Sequence, residues 1–126
     1  MKRTLYPTVE ETLYLHERLI EAFGGFKGVR DTGLLDSALK RAQSGYYDTL
    51  SEQAGALLQS LATNHCFVDG NKRVAFALTK VFLLMNGWEF KVAADEGERF
   101  IVDEIIQRKA DVNLIAAWLE QHCKKK

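Results

Sequence analysis

The stretch from Asn71 to Asn86 most constrains what this chain can fold into. Wound as a helix, it is apolar nearly all round, through Val74, Ala75, Phe76, Ala77, Leu78, Val81, Phe82, Leu83, Leu84 and Met85, and Gly87 stops it. A helix with so little polar face needs neighbours on most of its sides, so it is predicted to form the centre of the fold. Its unbroken apolar runs, such as Val81 to Met85, are far too short for a bilayer span, which takes about 20 residues. No membrane partner is expected.

The covering elements also read as helices. Pro7 is the only proline, and apolar residues recur at three- and four-residue spacing, so few strands are expected. Thr8 and Glu11 form a capping box for a helix from about Val9 to Phe23, stopped at Gly24-Gly25. Its apolar residues Leu13, Leu15, Leu19, Ile20 and Phe23 keep roughly to one side. Asp31 can cap a second helix through Leu34, Leu35, Ala38 and Leu39, ending near Gly45. Thr49 and Glu52 open a third, which runs toward Asn64. After the central helix, Trp88 to Val92 allows one short extended segment. Helices from about Asp95 to Lys109 and from Val112 to His122 follow, the second with Asp111 as its cap, and Lys124 to Lys126 reads as a solvated tail.

The prediction is therefore an all-α fold in a single domain over residues 1–126. At 126 residues, 47% apolar and 27% charged, the chain can bury a real core without metal or disulfide staples. Lys plus Arg and Asp plus Glu are 17 each, so no net field draws it to a phosphate backbone, and no direct nucleic-acid partner is expected. Cys66 and Cys123 are too few for a disulfide framework and read as free thiols. Nothing after Lys2 and Arg3 reads as a secretory leader, so a cytoplasmic location is expected.

Residues 65 to 73, His-Cys-Phe-Val-Asp-Gly-Asn-Lys-Arg, put an imidazole, a carboxylate, a glycine turn and two cations in nine positions at the start of the central helix. The glycine permits a tight turn, and free amides with a partial positive charge at a helix N-terminus attract anions, which Lys72 and Arg73 reinforce. A carboxylate beside a phosphate is repelled unless a cation such as magnesium bridges the two, which makes Asp69 the candidate metal ligand. His65 can accept a proton from an attacking hydroxyl near neutral pH. Phe67 would peg the loop down. A plainer reading has His65 ending a helix, Asp69-Gly70 turning, Asn71 capping and the two cations solvated. Residue chemistry alone leaves both readings standing.

The nine residues resemble the Fic/Doc family, whose loop reads H-P-F-x-D/E-G-N-G-R in its adenylyl-transferring branch and H-x-F-x-D-x-N-K-R in its death-on-curing (Doc) toxin branch. This chain has the second form. The segment from Gly28 to Leu39, G-V-R-D-T-G-L-L-D-S-A-L, resembles the opening of the Doc-type domain. The resemblance implies a compact helical domain in which His65 is the catalytic base and Asp69 the magnesium ligand. Gly70, Asn71, Lys72 and Arg73 would hold the nucleotide phosphates. Lys72 stands where the adenylyl-transferring branch has a second glycine, and Phe76 where that branch has a second arginine. In Doc-type proteins the first change accompanies ATP bound in the reverse sense, with the γ-phosphate toward the nucleophile.

The implied function is that of a toxin of a toxin-antitoxin pair, an ATP- and magnesium-dependent protein kinase. Its target would be a threonine or serine hydroxyl, by resemblance on elongation factor Tu, and the outcome a block of translation. The alternatives are a protein AMP transferase and a non-catalytic antitoxin-binding module. The resemblance also implies an antitoxin whose C-terminal segment folds on binding, since the family's own inhibitory helix motif is absent: Glu96 lacks a Ser or Thr four residues before it. Tyr46 and Tyr47 lie where the family places a flap that holds the target. Cys66 replaces the family's proline. His16 and His122 lack a neighbouring ligand pattern and read as filler, and Trp88 and Trp118 read as core aromatics.

Overall fold

Four helices begin where a side chain answers their first free amides. In the computed structural model, which describes residues 3–125, Thr8 and Thr49 make reciprocal capping boxes with Glu11 and Glu52, opening α1 (Val9–Phe23) and α3 (Leu50–Thr63). Asp31 caps α2 (Thr32–Ala42) through the Leu34 amide, and Asp111 caps α6 (Val112–Gln121) through that of Leu114. The fourth helix, α4 (Asn71–Met85), starts at Gly70 with no side-chain cap.

α4 and α3 form the centre. Val74, Ala75, Leu78, Phe82 and Leu83 of α4 meet Ala54, Leu57, Leu58 and Leu61 of α3 in one buried cluster that also takes in Leu35, Leu39, Ile115 and Leu119. The polar Thr79 enters that core by donating its hydroxyl to the Ala75 carbonyl at 2.8 Å. The covering of α4 is less complete than its composition predicts, because Arg73, Lys80, Val81 and Leu84 are exposed along one side. That stripe carries the helix's charged heads, so it is the side the domain leaves to water.

The C-terminal third departs from the expected helix over Asp95 to Lys109. Its first part is a short α5 (Ala94–Arg99), which continues as a π-helix (Phe100–Gln107). Its i→i+5 bonding widens each turn, which brings Phe100 and Ile105 closer to one side than an ordinary helix would. Both are buried with Ile101, and the Phe100 ring stacks on Trp118 at 3.9 Å. The tail differs too. Cys123–Lys125 (β2) pairs antiparallel with β1 (Trp88–Phe90), so Lys124 and Lys125 belong to a two-stranded ribbon; Lys126 lies outside the described residues. Glu89 sits opposite Lys124 in the register, and the Lys125 ammonium lies 5.8 Å from the Trp88 ring centre, so both lysines have neighbours across the ribbon.

Candidate active site

The loop between α3 and α4 is held by four neighbouring segments. Asn64 ends α3, accepts the Cys66 amide on Oδ1 and donates Nδ2 to the Leu34 carbonyl. Residues 24–31 then run beside the loop as a strap. The Arg30 guanidinium Nε donates to the His65 carbonyl at 2.8 Å, and the Arg30 and Asp31 amides both donate to that of Cys66. Val29 bridges to Phe67, the Val68 amide donates to Gly28, and the Phe26 amide donates to Asp69 Oδ2 at 3.0 Å. From α4, Asn71 accepts the Phe67 amide and donates to the Phe67 carbonyl, each at 3.0 Å. From α1, His16 stacks on the buried Phe67 ring, and its Nε2 lies 2.8 Å from the Asp69 carbonyl.

These bonds fix an anionic group beside an amide-rich turn. Asp69 takes the Phe26 amide on one carboxylate oxygen and the Gly70 amide, at 2.8 Å, on the other. These two bonds, with Arg73 and His16 adding smaller attractions, hold its carboxyl below the ordinary 3.8, so it is ionised at neutral pH. Gly70 then turns left-handed, φ 76°, and α4 begins. Its first turn offers main-chain N–H groups that no side chain caps, with Lys72 and Arg73 exposed on that same turn. The donors fit magnesium bound with a nucleotide. Among the described residues no three His, Cys, Asp or Glu side chains cluster, so one carboxylate would bind the ion while phosphate oxygens and water complete its shell.

A family model for the Fic/DOC family matches residues 6–83, spanning α1, the strap, the loop and nearly all of α4. The chain belongs to that family. It is 44% identical over 104 residues to a protein named Toxin Doc from Mycolicibacterium smegmatis, covering 78% of this chain and 80% of that one. It is 33% identical over 82 residues to Protein kinase doc of Escherichia phage P1, covering 62% of this chain and 65% of the phage protein. Both relatives lie on the Doc side of the family.

Within this Fic/DOC domain, the residues singled out from sequence fall into separate groups. His65 is exposed, has a left-handed backbone, φ 53°, and lines a groove of about 390 Å³ with Gln59, Thr63, Ile105 and Lys109. Lys109, φ 54°, is the other non-glycine with positive φ among the described residues, so both left-handed positions border one groove. Asn71 does not cap α4; both ends of its side-chain amide are spent on Phe67, and its main-chain N–H belongs to the uncapped turn. The Arg73 guanidinium lies 4.9 Å from the Phe23 ring centre. Tyr46 and Tyr47 lie in an irregular bend. Their contacts run to each other, to Ser44, and through Tyr47 to Arg41 and Gln53.

Cys66 is wholly buried, and that burial pushes its thiol up to about 11, which removes it as a nucleophile near neutral pH. Sequence reasoning missed the contributions of His16, Gly25, Phe26 and Arg30. The signal that finds His16 is the four-residue line Thr12, His16, Ile20, which holds the buried residues of α1.

Proposed function

We propose that this protein is the toxin of a toxin-antitoxin pair and acts as a protein kinase. It would transfer the γ-phosphate of magnesium-ATP to a serine or threonine hydroxyl, on elongation factor Tu, and so stop translation. The observation that carries this reading is Lys72 on the uncapped first turn of α4, where a bare glycine would leave room for a different phosphate seat. The names of the two relatives, one a toxin and one a protein kinase, support it.

In this reading the exposed imidazole of His65 takes the proton of the target hydroxyl as its oxygen bonds to the γ-phosphorus. The bond from the γ-phosphorus to the bridging oxygen breaks, and ADP leaves with that electron pair. Arg30 and the left-handed turn hold His65 at the mouth of its groove. Gly70, Lys72, Arg73 and the amides of the α4 first turn, including that of Asn71, hold the phosphates. Asp69 would hold the magnesium, whose charge would offset that of the phosphate oxygens. Phe67 anchors the loop between them. The partner is an antitoxin whose C-terminal segment becomes helical on this domain.

Purified protein with magnesium, elongation factor Tu and ATP labelled at the γ- or the α-position tests the reading. Label entering the factor from the γ-position, and its loss in a folded His65→Ala variant, is the expected result. Transfer from the α-position instead would make the protein an AMP transferase, and transfer from neither position, with factor or lysate, would remove the kinase assignment.

A further inference from the structure

The proposed chemistry leaves one buried titratable group of the site without a task. His16 lies on the inward line of α1, 4% exposed, with its ring 3.9 Å from that of Phe67 and tilted only 8° from it. Its Nε2 is 2.8 Å from the Asp69 carbonyl oxygen. A carbonyl only accepts, so Nε2 carries the hydrogen in this contact. A slot that needed packing alone would be served by phenylalanine or leucine, without the cost of burying a polar ring. The ring's hydrogen bond instead crosses 53 residues of sequence to the loop. A Cβ on Gly70 would lie 3.6 Å from the same Nε2, so His16 sits against the Gly70 end of that peptide as well.

Asp69 is therefore gripped at both ends, its carboxylate by the amides of Phe26 and Gly70 and its carbonyl by His16. We infer that His16 is a positioning residue. By fixing the Asp69–Gly70 peptide it sets both the carboxylate that takes magnesium and the left-handed turn that exposes the first amides of α4. This inference rests on the magnesium-nucleotide reading above. The imidazole acts through the main chain of Asp69. The stack and the hydrogen bond are separable by substitution: His16→Phe keeps a ring on Phe67 and removes the donor, while His16→Gln removes the ring and keeps an N–H at about the same reach.

The test is calorimetric titration of the full chain with ATP over a range of magnesium concentrations, beside thermal melting and γ-phosphate transfer. Losing a partner that orients a metal ligand typically weakens metal binding by roughly ten- to a hundredfold. His16→Phe is expected to raise the magnesium needed for half-maximal ATP binding by about tenfold while still melting cooperatively, and His16→Gln to stay within about threefold of wild type. A His16→Phe protein with unchanged magnesium dependence overturns the inference. So does a folded His16→Gln protein as impaired as His16→Phe, because a side chain that keeps the N–H would then fail to preserve the site, and the donor would not be what holds it. If His16→Phe does not fold, the His16→Gln titration decides alone: near-wild-type binding supports the donor role, and a tenfold loss rejects it. Wild-type protein that binds no magnesium-ATP defeats the kinase reading and this inference together. Wild-type binding and transfer with an indifferent His16→Phe defeats the inference alone.

Discussion

Gly25→Ala should damage the site through one atom. Gly25 has φ 116°, and a Cβ built there would stand 2.7 Å from Asp69 Oδ2 and 3.1 Å from the Ile20 side chain. To regain ordinary contact the carboxylate must retreat by about 0.7 Å, which breaks its bond to the Phe26 amide or shifts the strap. Gly24 is the internal control. It has φ 88° and nothing within 4 Å of a built Cβ, so alanine there meets backbone strain without the clash. Each substitution should cost about 1–3 kcal/mol from the backbone alone, or roughly 3–4 °C of melting temperature per kcal/mol for a chain of this size. Only Gly25→Ala should also move the candidate metal ligand, and displacements near 1 Å in such sites cost up to about a hundredfold. The assay is magnesium dependence of ATP binding, read beside the melting curves. The expected result is destabilisation of both variants, at least as large in Gly25→Ala, with the magnesium requirement raised by roughly ten- to a hundredfold in Gly25→Ala only. Equal magnesium dependence in the two would refute the claim that the strap places Asp69.

Two further predictions concern packing and protonation. Gly97→Ala puts a Cβ 2.2 Å from the Phe76 ring, so it should destabilise by about 1–3 kcal/mol in a melting experiment and leave the magnesium requirement of the folded protein unchanged. Cys66 is held protonated by burial, its thiol raised from 9.0 to about 11, so the unfolded chain loses that proton first as pH rises. Its contribution is intact below pH 9 and declines toward pH 11, by about 1.4 kcal/mol per pH unit at most. Denaturant melts of wild type and Cys66→Ala at pH 8, 9, 10 and 11 should therefore converge as pH rises, and parallel curves would reject the assignment.

The sequence was most legible where the signal was local. Thr8 with Glu11, Asp31, Thr49 with Glu52, and Asp111 each mark a helix start within four residues of chain, and all four starts stand in the structure. The loop chemistry was legible for the same reason, because nine consecutive residues carry it. Pairings between distant segments were not. Lys124 and Lys125 have Glu89 and Trp88 as neighbours only because the two strands are brought alongside each other, and the π-helix of Phe100–Gln107 packs its first ring on Trp118, far along the chain. No helical period in the sequence distinguishes those outcomes from a charged tail and an ordinary helix.

His16 shows why a site is harder to read than a fold. Apolar counting on α1 selects Leu13, Leu15, Leu19, Ile20 and Phe23 as one side, yet Phe23 is 66% exposed and the deepest line runs through Thr12, His16 and Ile20. A core helix that covers another helix presents hydrocarbon. α1 also covers the Asp69 carbonyl, which needs a donor once water is excluded from it. Thr12 satisfies its own hydroxyl by donating to Thr8 one turn back, so it costs little at a buried position. His16 does not bond back along its own helix; its ring's hydrogen bond is made to the loop. A polar residue in the deepest line of a helix, without a local acceptor, therefore indicates a distant backbone group held in place. Here that group belongs to the residue that would bind the metal.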